Sequence, residues 1–165
     1  MKYPVGIQTF DKVIEGGFSY VDKTALVYQL AHYAQNQFLS RPRRFGKSLL
    51  VSTLQAYFEG KKELFKGLEI EKLEQEWISY PVIHIDMSSS KYYCLDNLHI
   101  TLDGLLSNLE SLYHVGGVAK DSRAYGQRMK NIIESIVAQT GKKVVVLIDE
   151  YDAPLLDVVH DDEKL

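Results

Sequence analysis

Residues 41 to 48 read RPRRFGKS and combine a glycine, a lysine and a serine with three arginines. A phosphate-binding loop has the form G-x-x-x-x-G-K-[ST] between a strand and a helix. Gly46, Lys47 and Ser48 supply the last three defined positions, whereas Arg41 stands where the first glycine is expected. In such a loop the lysine reaches the β- and γ-phosphates and the hydroxyl binds Mg²⁺. The segment predicts a phosphate-binding loop that departs from the pattern at one position.

Arg41 is expected to reshape this loop without abolishing phosphate binding. A residue with a side chain costs roughly 1–2 kcal/mol where the backbone needs positive φ. A cation about 4 Å from a phosphate oxygen is attracted by roughly 4 kcal/mol at an effective dielectric constant near 20, before desolvation is subtracted. Pro42 has no N–H, so one backbone donor is missing from the loop. Taken alone, the stretch is also compatible with a solvated basic turn.

A second chemical element is KKVVVLIDEYDAP, which covers residues 142 to 154. An apolar strand that ends in Asp149 and Glu150 has the form of a Walker B element. There the first carboxylate holds Mg²⁺, usually through water, and the second polarises the attacking water as a general base. Taken alone, the stretch also fits a buried strand that runs into an acidic turn. Its combination with a Gly-Lys-Ser turn about 100 residues earlier favours an ATP-binding domain.

Strands and helices that could position these residues are visible in the hydrophobic pattern. Predicted strands cover residues 37–40, 81–87 and 144–148, and the third is apolar throughout. A strand that is apolar on both faces is expected in a parallel sheet covered by helices on each side. Strands that alternate with helices predict an α/β fold. The predicted helical stripes are Leu50, Leu54, Tyr57 and Phe58, ended by Gly60; Leu95, Leu98, Leu102, Leu105, Leu109 and Leu112, ended by Gly116-Gly117; and Tyr125, Met129, Ile132, Ile133, Ile136 and Val137, ended by Gly141.

Composition and charge argue against several classes of protein. The net charge of −3 over 165 residues gives no whole-surface attraction to nucleic acid or anionic membrane. The first residues lack the apolar core of a signal peptide, and no apolar run approaches the roughly 18 residues of a membrane span. Cys94 is the single cysteine, which excludes an internal disulfide, and the histidines have no metal-binding spacing. We expect a cytoplasmic protein with no membrane partner.

The chain resembles the AAA-ATPase-like family of bacterial proteins in several motifs. Residues 41–48 match the RPRRFGKS loop of that family throughout. Further matches are YVDKT at 20–24, FEGKKELFKGL at 58–68, YPVIHID at 80–86 and LIDEYDAP at 147–154. The resemblance covers nearly the whole chain and makes the missing first glycine a family trait.

This resemblance implies a three-layer P-loop NTPase sandwich with a mostly parallel sheet, of the AAA-like, additional-strand type. Residues 1–165 are then expected to form the N-terminal part of a single ATPase domain that continues beyond the Walker B strand. Longer members of the family often carry a C-terminal domain similar to PD-(D/E)XK nucleases, and nothing in this sequence corresponds to it. No segment is recognised as the sensor strand or the arginine finger.

The site expected from these motifs holds Mg-ATP between the loop and the Asp-Glu element. Lys47 on the β- and γ-phosphates and Glu150 as the base that orients water are the expected catalytic residues. Ser48 and Asp149 are the expected ligands of Mg²⁺. Three partners remain open for the loop arginines: phosphate, a neighbouring subunit or solvent. The expected nucleotide-binding residues are Arg43, Arg44, Phe45, Gly46, Lys47, Ser48 and Leu49.

Two other functions remain open. The chain could hold nucleotide as a switch and hydrolyse it negligibly, because an arginine finger contributes roughly 10³–10⁵ in turnover. It could also be a regulatory or targeting module for a nucleic-acid enzyme fused downstream. The partner expected in every case is nucleotide. A homo-oligomer is compatible with the sequence, and nucleic acid is expected as a partner only through a downstream domain.

Two polar pairs allow more than one interpretation. Asp22 or Thr24 is expected to cap the following helix, although the segment could also cover the adenine. Asp86 and Ser88 are expected to form a turn at the end of the second strand. They could instead restrain Glu150 until a partner binds.

Overall fold

A computed structural model describes residues 2–40, 42, 45–115 and 123–158 of the chain. The chain divides into two compact units, Met1–Val82 and Ile83–Leu165. Helices and a small parallel sheet are compatible with the predicted α/β fold. The three-layer sandwich and the single domain stay predictions.

Up to residue 81, the regular secondary-structure elements described in the first unit are helices. Its core joins residues that are far apart in the sequence, so the unit is held by tertiary packing and not by isolated helices. The buried core residues are Phe10, Val27, Ala56, Tyr57, Phe65 and Ile70. The elements are α1 (Phe10–Glu15), α2 (Thr24–Tyr33), α3 (Lys47–Phe58), a 3₁₀-helix (Lys62–Phe65) and α4 (Ile70–Leu73).

Aromatic side chains dominate the packing of this core. The ring centroids of Phe10 and Phe65 lie 4.8 Å apart, and those of Tyr57 and Phe65 lie 6.4 Å apart with the rings edge to face. Aromatic pairs in these arrangements contribute about 0.5–1.5 kcal/mol beyond the burial of their area. Because Phe10 lies on α1 and Tyr57 on α3, Phe65 joins α1 to the helix that follows the Gly-Lys-Ser turn.

Helix α3 ends at the glycine that the sequence predicts. Gly60 has φ of 72°, a left-handed conformation that glycine adopts without the steric cost of a Cβ. The N–H of Gly60 donates to the Tyr57 carbonyl and the N–H of Lys61 donates to the Ala56 carbonyl, both at 3.0 Å. These two bonds form a Schellman motif, which satisfies carbonyls that the helix end would otherwise leave without partners.

The second unit combines a two-stranded sheet with helices. Strands β1 and β2 pair directly, and two helices lie between them in the sequence, as neighbouring parallel strands require. The predicted strands 81–87 and 144–148 are thus confirmed to within one residue at each end. The elements are β1 (Val82–Asp86), a 3₁₀-helix (Met87–Ser89), α5 (Leu95–Leu112), α6 (Tyr125–Thr140), β2 (Val145–Asp149) and α7 (Ala153–Val158).

The helical stripes of the second unit are confirmed in part. Helix α6 ends at Thr140 and is followed by Gly141, the glycine that the sequence predicts at this helix end. Gly141 has φ of 66°. Helix α5 ends at Leu112, and His114 takes the left-handed conformation after it, whereas Gly116-Gly117 lies outside the described residues. The terminal leucines of the predicted α5 stripe, Leu95 and Leu112, are exposed, whereas the core contacts Leu106 and Leu109. The buried core residues are Ile83, Leu106, Ile132 and Ile136.

Cover on both faces of β2 is not found. Val145 and Leu147 are half-buried on one face, whereas Val146 and Ile148 on the other face remain exposed, the latter by 53%. The described residues therefore cover one face of this strand, and its expected burial on each side is not confirmed. The covered face is the one that carries Asp149 at its end.

The predicted strand at residues 37–40 is not formed. These residues lie outside the sheet, and Phe38 is 73% exposed. The side-chain amide of Gln37 donates to the carbonyls of Leu30 and Ala34, the latter at 3.1 Å. It thereby satisfies carbonyls at the end of α2. The segment serves as the C-terminal cap of a helix, an arrangement that a short apolar run cannot reveal.

A buried arginine joins α5 to α6 in the second unit. Arg128 is 1% exposed, and its guanidinium donates to both carboxylate oxygens of Glu110 at 2.7 and 2.8 Å. It also donates to Asp103 and to the Ser107 hydroxyl. Both carboxylates raise the pKa of Arg128 above its ordinary value, with the Glu110 hydrogen bonds as the largest cause. Removal of the guanidinium would leave Glu110 without its charged partner in a nearly buried position.

We predict that Arg128→Ala destabilises the chain by about 3–5 kcal/mol, because it breaks a buried and bidentate ion pair. The matched control is Arg123→Ala, which removes an exposed arginine 3.9 Å from Asp96. Exposed pairs of this kind contribute about 0–1 kcal/mol. Urea denaturation gives both values. An equal decrease in the free energy of unfolding in the two variants would show that the buried network does not stabilise the unit.

Candidate phosphate-binding turn and acidic strand end

The Gly-Lys-Ser turn begins helix α3. Gly46 is the N-cap residue and has φ of 73°, and its carbonyl accepts the N–H of Leu50 at 3.0 Å. No atom of the described residues outside the adjacent positions lies within 4 Å of a Cβ placed at Gly46, so backbone conformation and not space makes glycine suitable here. Lys47 follows as the first helical residue. The predicted junction between a strand and a helix is confirmed on its helix side only, because the strand expected at residues 37–40 is not formed.

The first turn of α3 has the properties of an anion-binding helix start. Its N–H groups have no acceptors within the helix, and the helix dipole favours negative charge at this end. No acidic residue lies in this turn, and the N-cap makes no side-chain hydrogen bond. At 12 residues, α3 is long enough to carry a full dipole at its start. The arrangement can bind a phosphate.

The other predicted loop residues differ in their surroundings. Phe45 is 63% exposed at the turn, and Ser48 is half-buried in the first helical turn. Leu49 packs against the core of the first unit, so its side chain anchors the helix from below. Arg41, Arg43 and Arg44 lie outside the described residues. The contacts of Arg43 and Arg44 with phosphate, a subunit or solvent stay predictions.

Two polar residues that the sequence did not single out lie on the buried face of α3. Ser52 and Thr53 are buried, and both hydroxyls donate to the Leu49 carbonyl, at 2.9 and 2.7 Å. The signal available in the sequence was a Ser-Thr pair within an apolar helical stripe one turn after Lys47. Such a pair is equally compatible with a buried and with a solvent-facing position, and only the packing of the helix distinguishes these positions.

The acidic end of β2 contains one buried and one strained residue. Asp149 is 7% exposed, and its carboxylate accepts the N–H of Glu150 at 3.0 Å. Glu150 has φ of 51°, a left-handed conformation that is uncommon for residues other than glycine. Its carbonyl accepts the N–H of Ala153 at 2.9 Å, which begins α7. Strained residues of this kind occur disproportionately at functional sites.

The oxygen donors of these residues suit Mg²⁺. The Asp149 carboxylate and the Ser48 hydroxyl are hard oxygen ligands, and Mg²⁺ is commonly held by one or two protein oxygens together with phosphates and water. Within the described ranges, no group of three or more His, Cys, Asp or Glu residues could hold a metal by itself. The residues therefore fit a magnesium ion that enters with a nucleotide. Ser48 and Asp149 belong to different units, and their sharing of one ion stays a prediction.

Asp86 and Ser88 form the turn that was expected at the end of β1. The Asp86 carboxylate accepts the N–H of Ser88 at 2.8 Å and its hydroxyl at 2.7 Å. Beyond this turn, the N–H of Tyr92 donates to Asp157 of α7 at 3.0 Å. The Tyr92 hydroxyl donates to the Met87 carbonyl at 2.8 Å. These bonds tie the helix after Glu150 to the segment after β1.

Asp22 and Thr24 support the start of two helices. Asp22 accepts the N–H of Thr24 at 2.9 Å and its hydroxyl at 2.7 Å. It also accepts the N–H of Glu69 at 2.7 Å, and the Thr24 hydroxyl accepts the N–H of Ile70 at 3.0 Å. The capping interpretation is confirmed in part: the N-cap of α2 is Lys23, which makes no side-chain cap bond, and Asp22 accepts the first helical N–H instead. The pair also satisfies donors at the start of α4.

Comparison with known proteins identifies the family. The family described as "Predicted AAA-ATPase" (AAA-ATPase-like) matches residues 4–165. The chain belongs to the AAA-ATPase-like family. It is also 39% identical over 157 residues to a protein of Azotobacter chroococcum mcd 1 named "Uncharacterized protein in vnfD 5'region". The match covers 94% of this chain and 30% of that relative, and no solved structure matches.

Membership of the AAA-ATPase-like family supports nucleotide binding at a coarse level. It confirms the resemblance drawn from the RPRRFGKS and LIDEYDAP motifs. The chain spans less than a third of the length of its Azotobacter relative, so the activity of a whole protein is not read from it. Among the described helices, none has the length and apolar character needed to cross a bilayer.

The Asp22 network predicts a specific dependence of stability on pH. Burial raises the pKa of Asp22, but hydrogen bonds from Thr24 and Glu69 outweigh it, and the pKa lies below its ordinary value of 3.8. The stabilisation is thus fully present above pH 3.8 and is lost as the pH falls through the lowered pKa. We expect the stability gap between the wild type and Asp22→Asn to narrow in acid.

Urea denaturation between about pH 6 and about pH 2 measures this gap. Asp96→Asn is the control, because Asp96 is exposed in its single weak ion pair among the described residues. That variant should differ little from the wild type at any pH. An Asp22→Asn gap that stays constant down to the lowest pH would refute the assignment.

Proposed function

We propose that the chain binds Mg-ATP through the turn at Gly46 and hydrolyses it to ADP and phosphate. The observation that carries the proposal is the left-handed Gly46 followed directly by Lys47 at the start of α3. A helix start of this kind offers backbone N–H groups to an anion, and a lysine at its first position adds a cation to the same turn. Membership of the AAA-ATPase-like family supports the same assignment.

In this proposal, each residue of the turn has a separate role. The N–H groups of the first turn bind phosphate oxygens, and the ammonium of Lys47 contacts the β- and γ-phosphates. Gly46 allows the backbone to approach the phosphates closely. The side chain of Leu49 does not contact nucleotide in this scheme, since it packs against the core.

The Asp-Glu element completes the proposed site. Asp149 and Ser48 hold Mg²⁺, which when bound neutralises charge that develops on the phosphate oxygens. Glu150 orients the attacking water and accepts its proton as general base. The burial of Asp149 supports its role as a ligand, because a carboxylate in a partly dry position interacts more strongly with a cation.

A second candidate function is a nucleotide-dependent switch that hydrolyses ATP negligibly and regulates a downstream nuclease-like domain. The strained backbone of Glu150 favours it, because left-handed residues at such positions are found in elements with two alternative states. The two candidates share the nucleotide site and differ in turnover. They also differ in whether Glu150 is needed for catalysis or only for the conformational change.

We predict that Lys47→Ala weakens binding of a fluorescent ATP analogue by at least about tenfold, since a cation is lost beside the phosphates. The matched control is Lys66→Ala, which removes an exposed lysine on the same unit after the 3₁₀-helix. Fluorescence titration gives both affinities. Equal affinity of Lys47→Ala and the wild type would remove Lys47 from the site.

We predict that Glu150→Gln retains ATP binding and loses hydrolysis. The amide keeps the size of the side chain but cannot accept a proton from water. Single-turnover hydrolysis and analogue binding are measured on the same samples. Loss of binding together with turnover would show that Glu150 is a ligand and not the base. If the wild type and Glu150→Gln both hydrolyse ATP negligibly, the nucleotide-dependent switch is favoured.

A further inference from the structure

The start of α1 is capped by a residue of α3. Thr9 is the N-cap residue of α1 and makes no capping hydrogen bond, and its hydroxyl is buried without a partner. The N–H of Phe10, the first residue of α1, donates instead to the hydroxyl oxygen of Ser52 at 2.9 Å. Both Phe10 and Ser52 are buried. A helix start that is normally satisfied within its own segment depends here on α3.

Two hydroxyl groups of α3 meet at one carbonyl. The Ser52 hydroxyl accepts from Phe10 and donates its own proton to the Leu49 carbonyl at 2.9 Å. The Thr53 hydroxyl donates to the same carbonyl at 2.7 Å. The contact from α1 thus reaches the Leu49 carbonyl through Ser52, and Thr53 bonds to the same carbonyl directly.

The Leu49 carbonyl belongs to the same planar peptide group as the N–H of Leu50. That N–H donates to the Gly46 carbonyl at 3.0 Å, which is the bond that closes the first turn of α3. A constraint on one side of a planar peptide therefore fixes the direction of the other side. Ser52 and Thr53 act on Gly46 through this single peptide group.

We propose that Ser52 and Thr53 are positioning residues that hold the turn at Gly46 and Lys47 in its anion-binding conformation. The inference rests on the proposed nucleotide site for its functional consequence. Helix starts fray readily, because their first turns lack half of their hydrogen bonds. A turn that is ordered before the nucleotide arrives does not lose conformational entropy on binding.

The structural part of the proposal is tested by amide hydrogen exchange, followed residue by residue by NMR on the full chain without nucleotide. In Thr53→Val, exchange at Leu50 is expected to rise by at least about tenfold, while exchange at Val27 on α2 stays within about twofold of the wild type. In Ser52→Ala, exchange is expected to rise at both Leu50 and Phe10, since Phe10 loses its acceptor. A purely global loss of stability would raise all of these rates together.

Two further variants serve as controls. Thr53→Ser keeps the hydroxyl and is expected to exchange at Leu50 like the wild type. Thr101→Val removes the same kind of bond on α5, where the Thr101 hydroxyl donates to the Asn97 carbonyl at 2.9 Å. It is expected to leave Leu50 unchanged. Unchanged exchange at Leu50 in both Thr53→Val and Ser52→Ala would overturn the proposal.

The functional part is tested by titrating the same variants with the fluorescent ATP analogue and Mg²⁺. Thr53→Val is expected to bind about tenfold more weakly than the wild type, and Thr53→Ser is expected to bind equally well. If Leu50 exchanges faster but affinity is unchanged, the two residues do not position the site. If the wild type itself fails to bind the analogue, the proposed nucleotide function is wrong. The hydrogen-exchange rates at Leu50 still decide whether Ser52 and Thr53 order the turn.

Discussion

The proposed nucleotide site depends on the left-handed backbone of Gly46 at the start of α3. This conformation begins a helix whose first N–H groups have no acceptors within the helix itself, which makes the helix start suited to an anion. Glycine adopts it without steric cost, and Lys47 adds a cation at the same point. The net charge of the chain is negative, so attraction for phosphate has to arise from this local arrangement. Every role assigned to the loop follows from the direction of these groups.

Other contacts within the first unit stabilise the start of α3. The Phe10–Phe65–Tyr57 packing joins α1 to α3, and the Schellman motif at Gly60 fixes the far end of α3. The hydroxyls of Ser52 and Thr53 fix the near end. In the second unit, the bidentate pair of Arg128 with Glu110 serves a comparable purpose for the two helices that pack on the sheet. In each unit, buried polar groups thus fix helices relative to neighbouring elements of the same unit.

The sequence predicted the elements whose signals are local. Helix α3, its ends at Gly46 and Gly60, and both strands of the sheet follow from glycine positions and short apolar runs. The strand at 37–40 was wrong because a strand needs a partner that four residues cannot specify, and the Gln37 amide binds the end of α2 instead. The roles of Ser52 and Thr53 were missed because the Phe10 N–H that Ser52 caps lies 42 positions away. Long-range hydrogen bonds leave no periodic pattern.

The central claim is that one magnesium nucleotide is bound by both the turn at Gly46 and the acidic end of β2. Titration with ATP and Mn²⁺ in place of Mg²⁺ tests it most directly, because the paramagnetic ion broadens the NMR signals of nearby amides. If the proposal is right, the amide signals of Gly46, Lys47 and Ser48 broaden together with those of Asp149 and Glu150. With Mg²⁺, none of these signals is expected to broaden. Broadening of one group without the other would show that the two segments do not share a nucleotide.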